Sequence, residues 1–148
     1  MITILQRVQS ASVTVDGVRI SQIGPGALAL VAIIRTDGDE QVAWMARKIA
    51  GLRIFRSGDK NFDLDVQQAN GSLLLVSNFT VAAATRQGRR PSFDAAADPA
   101  AGRKYFDALV RAVVATGVPV ATGEFGADMK VELINDGPVT VIIDSDGE

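Results

Sequence analysis

Four short segments of this 148-residue chain carry residue types and spacings that could do chemistry. Ser77-Asn78-Phe79-Thr80 closes a run of strand-forming residues. Small polar side chains and unpaired backbone N–H groups at a strand end suit an oxyanion site, where one donor contributes about 3 kcal/mol to acyl transfer. The same residue types also simply end strands. Arg86-Gln87-Gly88-Arg89-Arg90-Pro91-Ser92-Phe93 sets three guanidinium groups within its first five residues. That spacing fits bidentate phosphate contacts, or else a solvated loop. Thr122-Gly123-Glu124-Phe125-Gly126-Ala127-Asp128-Met129 places Phe125 between two glycines, in a tight loop that either displays the ring or packs it down. Asn135-Asp136-Gly137-Pro138-Val139-Thr140 puts a Gly-Pro pair between two β-forming runs. Proline has no N–H for a ladder, so the pair should break the pairing or sit at a sheet edge. Glycine beside it lets the backbone approach another group closely. Read alone, the segment is also an ordinary turn.

Absent residue types narrow the chemistry further. The chain has no histidine and no cysteine. Ser-His-Asp and Cys-His machinery is therefore excluded, and so are disulfides. A metal site would rest on carboxylates alone, which zinc rarely accepts; no metal and no cofactor is expected. Net charge is −2 and the pI about 5.1, so bulk electrostatics does not point to nucleic acid. A local basic cluster at Arg86, Arg89 and Arg90 remains, with Arg103 and Lys104 further on. The apolar fraction is 47% and the charged fraction 22%, as in ordinary globular proteins. No apolar run approaches the roughly 20 residues of a membrane span. The start, Met1-Ile2-Thr3-Ile4, reads as a strand rather than a signal peptide, which sets a cytoplasmic expectation. Disorder is expected only in the tail from Asp144 to Glu148.

The positioning elements are legible from periodicity. Ile2 to Val15 and Val18 to Ile23 read as a hairpin about Asp16-Gly17, a type I′ signal. Ala27 to Ile34 is almost wholly apolar, as for a strand covered on both faces. Asp37 with Glu40 resembles a capping box opening a helix whose stripe is Val42, Met45, Ile49 and Leu52. Arg53 to Phe55 is a short strand, Ser57 to Asn61 a polar loop, and Ser72 to Val76 a buried strand. Phe79 to Asp98 has neither period, and so long a loop is often functional. Asp98-Pro99 caps a second helix with the stripe Phe106, Leu109, Val110, Val113 and Val114. Val118 to Val120, Met129 to Ile134 and Val139 to Ile143 are closing strands. These pieces describe one α/β domain over residues 1–148, with mostly antiparallel strands and two helices. Two helices cannot cover that much sheet, so a three-layer β/β/α packing or a sheet-covered dimer interface is expected.

Taken in order, the segments resemble the D-aminoacyl-tRNA deacylase family, also called D-tyrosyl-tRNA deacylase. The likeness runs from Gln6-Arg7-Val8 and Ala11 to Val15, through Ile23 to Gly26, Lys48 to Phe55, Ser77 to Thr80, Thr85 to Phe93 and Gly123 to Met129, to Asn135 to Thr140. It implies a homodimeric hydrolase that cleaves the ester of D-aminoacyl-tRNA, and glycyl-tRNA mischarged on tRNA-Ala, releasing amino acid and tRNA. It implies catalytic roles for Ser77, Asn78, Phe79 and Thr80. It implies substrate binding by Asn135, Gly137, Pro138, Val139, Thr140, Phe125 and Met129, and tRNA binding by Arg86, Arg89 and Arg90. The Gly137-Pro138 bond would be cis, and the pair would enter the partner subunit's active site. Its carbonyls would hold the α-amino group and leave no room for an L side chain. The 2′-hydroxyl of the substrate's own adenosine would assist, with an oxyanion donor at the backbone N–H of Phe79 or Thr80. Thr80 as nucleophile ranks second, since no general base stands near it in the sequence. The family usually has glutamine where this chain has Asn78, and often an aromatic where it has Ala82. A non-catalytic nucleic-acid-binding dimer on the same fold is the alternative. A glycine-selective editor with weak D-selectivity is a third reading.

Overall fold

The computed structural model describes residues 1–146. Its elements in chain order are β1 (Ile2–Val15), β2 (Val18–Ile23), β3 (Gly26–Ala32), α1 (Asp39–Gly51), β4 (Phe55–Ser57), β5 (Lys60–Leu64), β6 (Ser72–Ser77), α2 (Pro99–Val114), β7 (Val120–Thr122) and β8 (Met129–Asp144), with a 3₁₀ turn at Phe79–Ala82. Asp16 and Gly17 both have positive φ, 49° and 78°. That is the type I′ geometry the Asp-Gly pair demands, and it folds β2 back on β1. β1 also pairs antiparallel with β3 and β8, while β3–β6 and β6–β7 are parallel.

β1 is long enough to serve two layers. Its first half, Ile2 to Val8, lies between β3 and β8; its second half, Ala11 to Val15, lies between β2 and β8. Register shifts near Val8 and Ser10 mark the bend between them, as bulges do. The outer half-sheet therefore folds over the face of β3 and β6 that the helices leave open. One core joins the helices to the sheet through Met45, Ile49, Phe106, Leu109 and Val113 against Leu5, Ala29, Val31, Leu73 and Leu75. A second core, on the other face, joins Val8, Ala11, Val13 and Ile23 to Leu28, Leu74 and Val76. The expected β/β/α layering and the two helices are present. β3 and β6 are apolar on both faces because both faces are covered. Each fully buried leucine contributes about 2 kcal/mol by area removed from water.

Several local expectations are corrected. Asp37 does not cap α1. It is buried and pairs with the N-terminal ammonium of Met1 at 2.6 Å, and its other oxygen accepts from Ile34 N–H. The first turn is closed by Gln41, whose Oε1 accepts from Gly38 N–H at 3.0 Å. Ser57 to Asn61 is not a free loop. Phe55 pairs with Leu64 and Ser57 with Lys60, giving a hairpin that turns at Gly58. The last inner strand begins two residues late, at Val120, because Pro119 has no N–H; its carbonyl accepts from Leu73 N–H. Val114 is exposed and drops out of the α2 stripe. Of the expected disordered tail, Asp144 ends β8 and Ser145 bonds Met1 on both sides, while residues 147 and 148 lie outside the described residues. Asp98 caps α2 as expected, with Oδ1 accepting from Ala100 and Ala101 N–H at 3.0 Å each. Among the described residues no helix is long and apolar enough to cross a membrane.

Candidate active site

A cleft of about 480 Å³ opens at the C-terminal end of β6. Its floor is Ser77 and Ile33. Its walls are Phe79 and Phe93 on one side, Phe125 to Ala127 with Met129 on another, and the first turn of α2 at Pro99 and Gly102. Phe79 meets Phe93 edge-on, with centroids 5.1 Å apart, a favourable arrangement for aromatic pairs. Phe125 both packs down and faces the cleft. It leans on Phe106 at 6.3 Å, and Arg103 stacks over it at 4.7 Å while donating to its carbonyl. Gly102 lies directly under the ring: a Cβ there would stand 3.4 Å from Phe125, at the edge of ordinary contact.

The cleft is poor in proton-transfer groups. Among the described residues Asp98 is the one titratable side chain lining it, and an oxygen of that carboxylate already serves two helix N–H groups. Among the described residues no three metal-ligating side chains cluster. Backbone donors remain. Asn78 N–H bonds the Val31 carbonyl. Thr80 N–H is held by Asn78 Oδ1 at 3.2 Å. Among the described residues Phe79 N–H has no acceptor, so of the two candidate oxyanion donors it is the free one. Asn78 and Thr80 themselves do not line the cleft. Thr80 Oγ1 donates to Asn78 Oδ1 at 2.5 Å, so its proton rests on an amide oxygen rather than on a base. Asparagine suits this task because its short side chain closes a ring to the residue two ahead. Glutamine, one methylene longer, closes it less tightly.

The Gly137–Pro138 segment lies elsewhere. β8 pairs Asn135 with Val8 and Thr140 with Gln6, so the residues between them bulge from the ladder at the edge of the sheet. Both alternatives for a proline in a strand, a broken ladder and an edge position, hold here together. The Asn135 amide clamps the bulge: its nitrogen donates to the Val139 carbonyl at 3.2 Å and its oxygen accepts from Val139 N–H at 2.7 Å. The Gly137–Pro138 bond is cis, and both residues are exposed. Arg7, 3% exposed, lies beneath, with Nε donating to the Asp136 carbonyl at 2.8 Å and Nη1 to the Ile54 carbonyl at 2.6 Å. In register, the bulge stands beside the start of β6, three strands from it and about four residues from Ser77. Strand spacing and rise put it roughly 20 Å from the cleft of its own chain. The loop from Thr85 to Pro91 is closed by paired hydrogen bonds between Ala84 and Ser92, and carries Arg86, Arg89 and Arg90 exposed.

Of the sequence candidates, Ser77, Phe79, Phe125 and Met129 meet in one cleft; Asn78 and Thr80 brace its rim; Asn135, Gly137, Pro138, Val139 and Thr140 form a separate edge device. Sequence reasoning gave no cleft role to Gly102 or Ile33, which nothing in their spacing marks, nor to Phe93, which it singled out only as the end of the arginine segment. Arg7 had a readable signal, a cation inside an apolar strand.

An aromatic-walled cleft with a free backbone N–H and no imidazole or thiol is the kind of site that can stabilise an oxyanion without a side-chain nucleophile. The profile of the D-Tyr-tRNA(Tyr) deacylase family matches residues 4–144, and the chain belongs to that family. It is 54% identical over 143 residues to a D-aminoacyl-tRNA deacylase of Methylococcus capsulatus, covering 97% of this chain and 94% of that one. It is 51% identical over 144 residues to one of Ruegeria pomeroyi, covering 97% and 99%. Among solved structures, it is similar to the c-Myc DNA unwinding element binding protein, with a TM-score of 0.92, 33% identity and coverage of 97% and 98%. It shares its fold with a probable eukaryotic D-amino acid tRNA deacylase, with a TM-score of 0.83, 17% identity and coverage of 96% and 97%.

Proposed function

We propose that this protein hydrolyses the ester of D-aminoacyl-tRNA, and of mischarged glycyl-tRNA, in the cytoplasm, releasing amino acid and tRNA. The observation that carries the mechanism is the free Phe79 N–H in a cleft that holds no imidazole or thiol and whose titratable side chain, Asp98, is engaged in capping α2. Water adds to the ester carbonyl carbon as the carbonyl oxygen becomes an oxyanion facing Phe79 N–H. One proton of that water passes to the 2′-hydroxyl oxygen of the terminal adenosine. The 2′-hydroxyl gives its own proton to the departing 3′-oxygen, so the substrate supplies the relay that the chain lacks. Preorganised donors of this kind lower the barrier because they need not reorient as charge develops. A threonine nucleophile is disfavoured, since the Thr80 proton has no base to take it.

Selection for the D form rests on Gly137 and Pro138. Their carbonyls receive the α-ammonium, and an L side chain would collide with the same backbone. Exclusion by collision is how a site rejects a mirror image that offers it the same groups. Glycine has no side chain to exclude. Because the bulge is roughly 20 Å from its own cleft by strand spacing, it acts on the cleft of a second copy in a homodimer. An apolar strip including Ile142, 72% exposed beside Ile4 on the open face, suits such a contact.

Mixed dimers test this arrangement. Gly137→Val disables the loop and Phe79→Pro disables the cleft, so each homodimer is inactive. Where the loop works in the partner, refolding an equal mixture regains about one quarter of wild-type turnover, from one working site in half the dimers. If each loop served its own cleft, mixing would regain nothing.

A second reading, a nucleic-acid-binding dimer without catalysis, draws on the name of the c-Myc DNA unwinding element binding relative and on Arg86, Arg89 and Arg90. Under it, no ester is cleaved.

A further inference from the structure

The hairpin β4–β5 and the end of α1 carry a surface that the cleft does not use. Between residues 47 and 60 lie Arg47, Lys48, Arg53, Arg56 and Lys60 against a single acid, Asp59, in a chain of net charge −2. All five basic side chains are exposed. Only Arg53 forms an ion pair among the described residues, with Asp63 at 3.0 Å. Lys48 stacks over Trp44 at 5.3 Å, which leaves its ammonium at the surface. Beside this patch Phe62 is 63% exposed on a two-stranded hairpin, which leaves its ring open to stacking.

The patch is tied to the Gly137–Pro138 bulge by one buried cation. Arg7 bonds the carbonyls of Ile54, at the root of the hairpin, and of Asp136, at the root of the bulge. Arg56 is two residues from Ile54, so the patch begins on the order of 10 Å from the bulge. A cleft that receives the bulge therefore receives the patch at its rim.

We propose that this surface holds the sugar–phosphate backbone of the 3′ acceptor end of tRNA bound in the partner's cleft, with Phe62 stacking on one of its unpaired bases. The inference rests on the trans arrangement and the tRNA ester substrate set out above. With the terminal ester in the cleft, the preceding nucleotides must leave across the rim, and each carries a phosphate. Exposed cations interleaved with an exposed ring are what such a strand requires: charge follows the backbone, and the ring stacks on any base.

The test compares two substrates and two variants. The quadruple change Arg47→Gln, Lys48→Gln, Arg56→Gln, Lys60→Gln and the single change Phe62→Ala are assayed on D-tyrosyl-tRNA and on D-tyrosyl-adenosine, which has no phosphates. For the quadruple variant, KM for the tRNA ester is expected to rise about tenfold or more, and the slope of log KM against log salt to fall by roughly two to three, the share of four lost charges. Hydrolysis of D-tyrosyl-adenosine stays at the wild-type rate. Phe62→Ala is expected to raise KM for the tRNA ester alone. An unchanged KM and salt slope, or equal damage on both substrates, overturns the proposal. Loss of the dimer in Phe62→Ala would assign the ring to the subunit contact, and binding of the patch to phosphatidylserine vesicles with tRNA affinity unaltered would assign the cations to lipid; either overturns it. If the wild type cleaves neither ester, the hydrolase reading fails on its own. Fluorescence anisotropy with uncharged tRNA then still decides the surface: a salt-dependent Kd weakened in the quadruple variant supports it, and an unchanged Kd overturns it.

Discussion

Phe79→Pro is expected to lower kcat for D-tyrosyl-tRNA by about 100-fold or more relative to Phe79→Ala, with the two variants equally stable. The pair separates the backbone N–H from the ring. Phe79 is the first residue of the 3₁₀ turn, the position where proline is tolerated because its N–H has no intrahelical partner. Asn78 before it is extended, with φ −145° and ψ 90°, outside the α region that a following proline disfavours. Proline therefore removes the donor with little change of path. Alanine removes the ring from its contact with Phe93 and keeps the donor. Loss of one oxyanion donor costs on the order of 100 to 1,000-fold in kcat. Equal activity of the two variants in single-turnover assays would remove Phe79 N–H from the mechanism.

Gly26→Ala is expected to prevent folding, or to cost about 4 kcal/mol or more, a loss seen only where a named structural feature is broken. Gly26 opens β3 opposite Ser72 of β6. A Cβ there would stand 1.9 Å from the Ser72 carbonyl oxygen and 2.7 Å from its nitrogen. Both groups are backbone, and the strands on either side are held by both cores, so neither can yield. Two residues earlier, Gly24 has nothing within 4 Å of the corresponding position. Gly24→Ala should fall within about 1 kcal/mol of wild type and can be slightly stabilising, through the unfolded chain. Urea denaturation of both variants measures the contrast; similar midpoints would mean that β3 and β6 do not approach as closely as they do in this fold.

Much of the fold was legible because local signals agreed with the tertiary answer. Asp16-Gly17 can take two positive φ values cheaply, Asp98-Pro99 is a start signal complete in itself, and the apolar runs of β3 and β6 required cover on both faces. The failures have a common cause in long-range partners. Asp37 had the spacing of a cap, but a buried ammonium from the far end of the chain claimed it. Ser57 to Asn61 read as a loop because its polar residues face solvent on a two-stranded hairpin, where one-sided burial leaves no alternation.

The site was legible in parts rather than as an assembly. Ser77, Phe79, Phe125 and Met129 come together because strand ends and a glycine-bounded loop converge on α2. Gly102 gave no sign and Phe93 was marked only as part of the Thr85 to Phe93 stretch, since a wall residue is defined by what stands opposite. The separation of the Gly137–Pro138 bulge from the cleft follows from strand order alone, and strand order is not a local property of any segment.

The most direct test of the account is release of amino acid from D-tyrosyl-tRNA and L-tyrosyl-tRNA, measured side by side with the purified protein. Rapid release from the D ester is expected, with release from the L ester at the rate without enzyme. Equal cleavage of both would contradict selection by the Gly137–Pro138 carbonyls, and cleavage of neither would contradict the hydrolase itself.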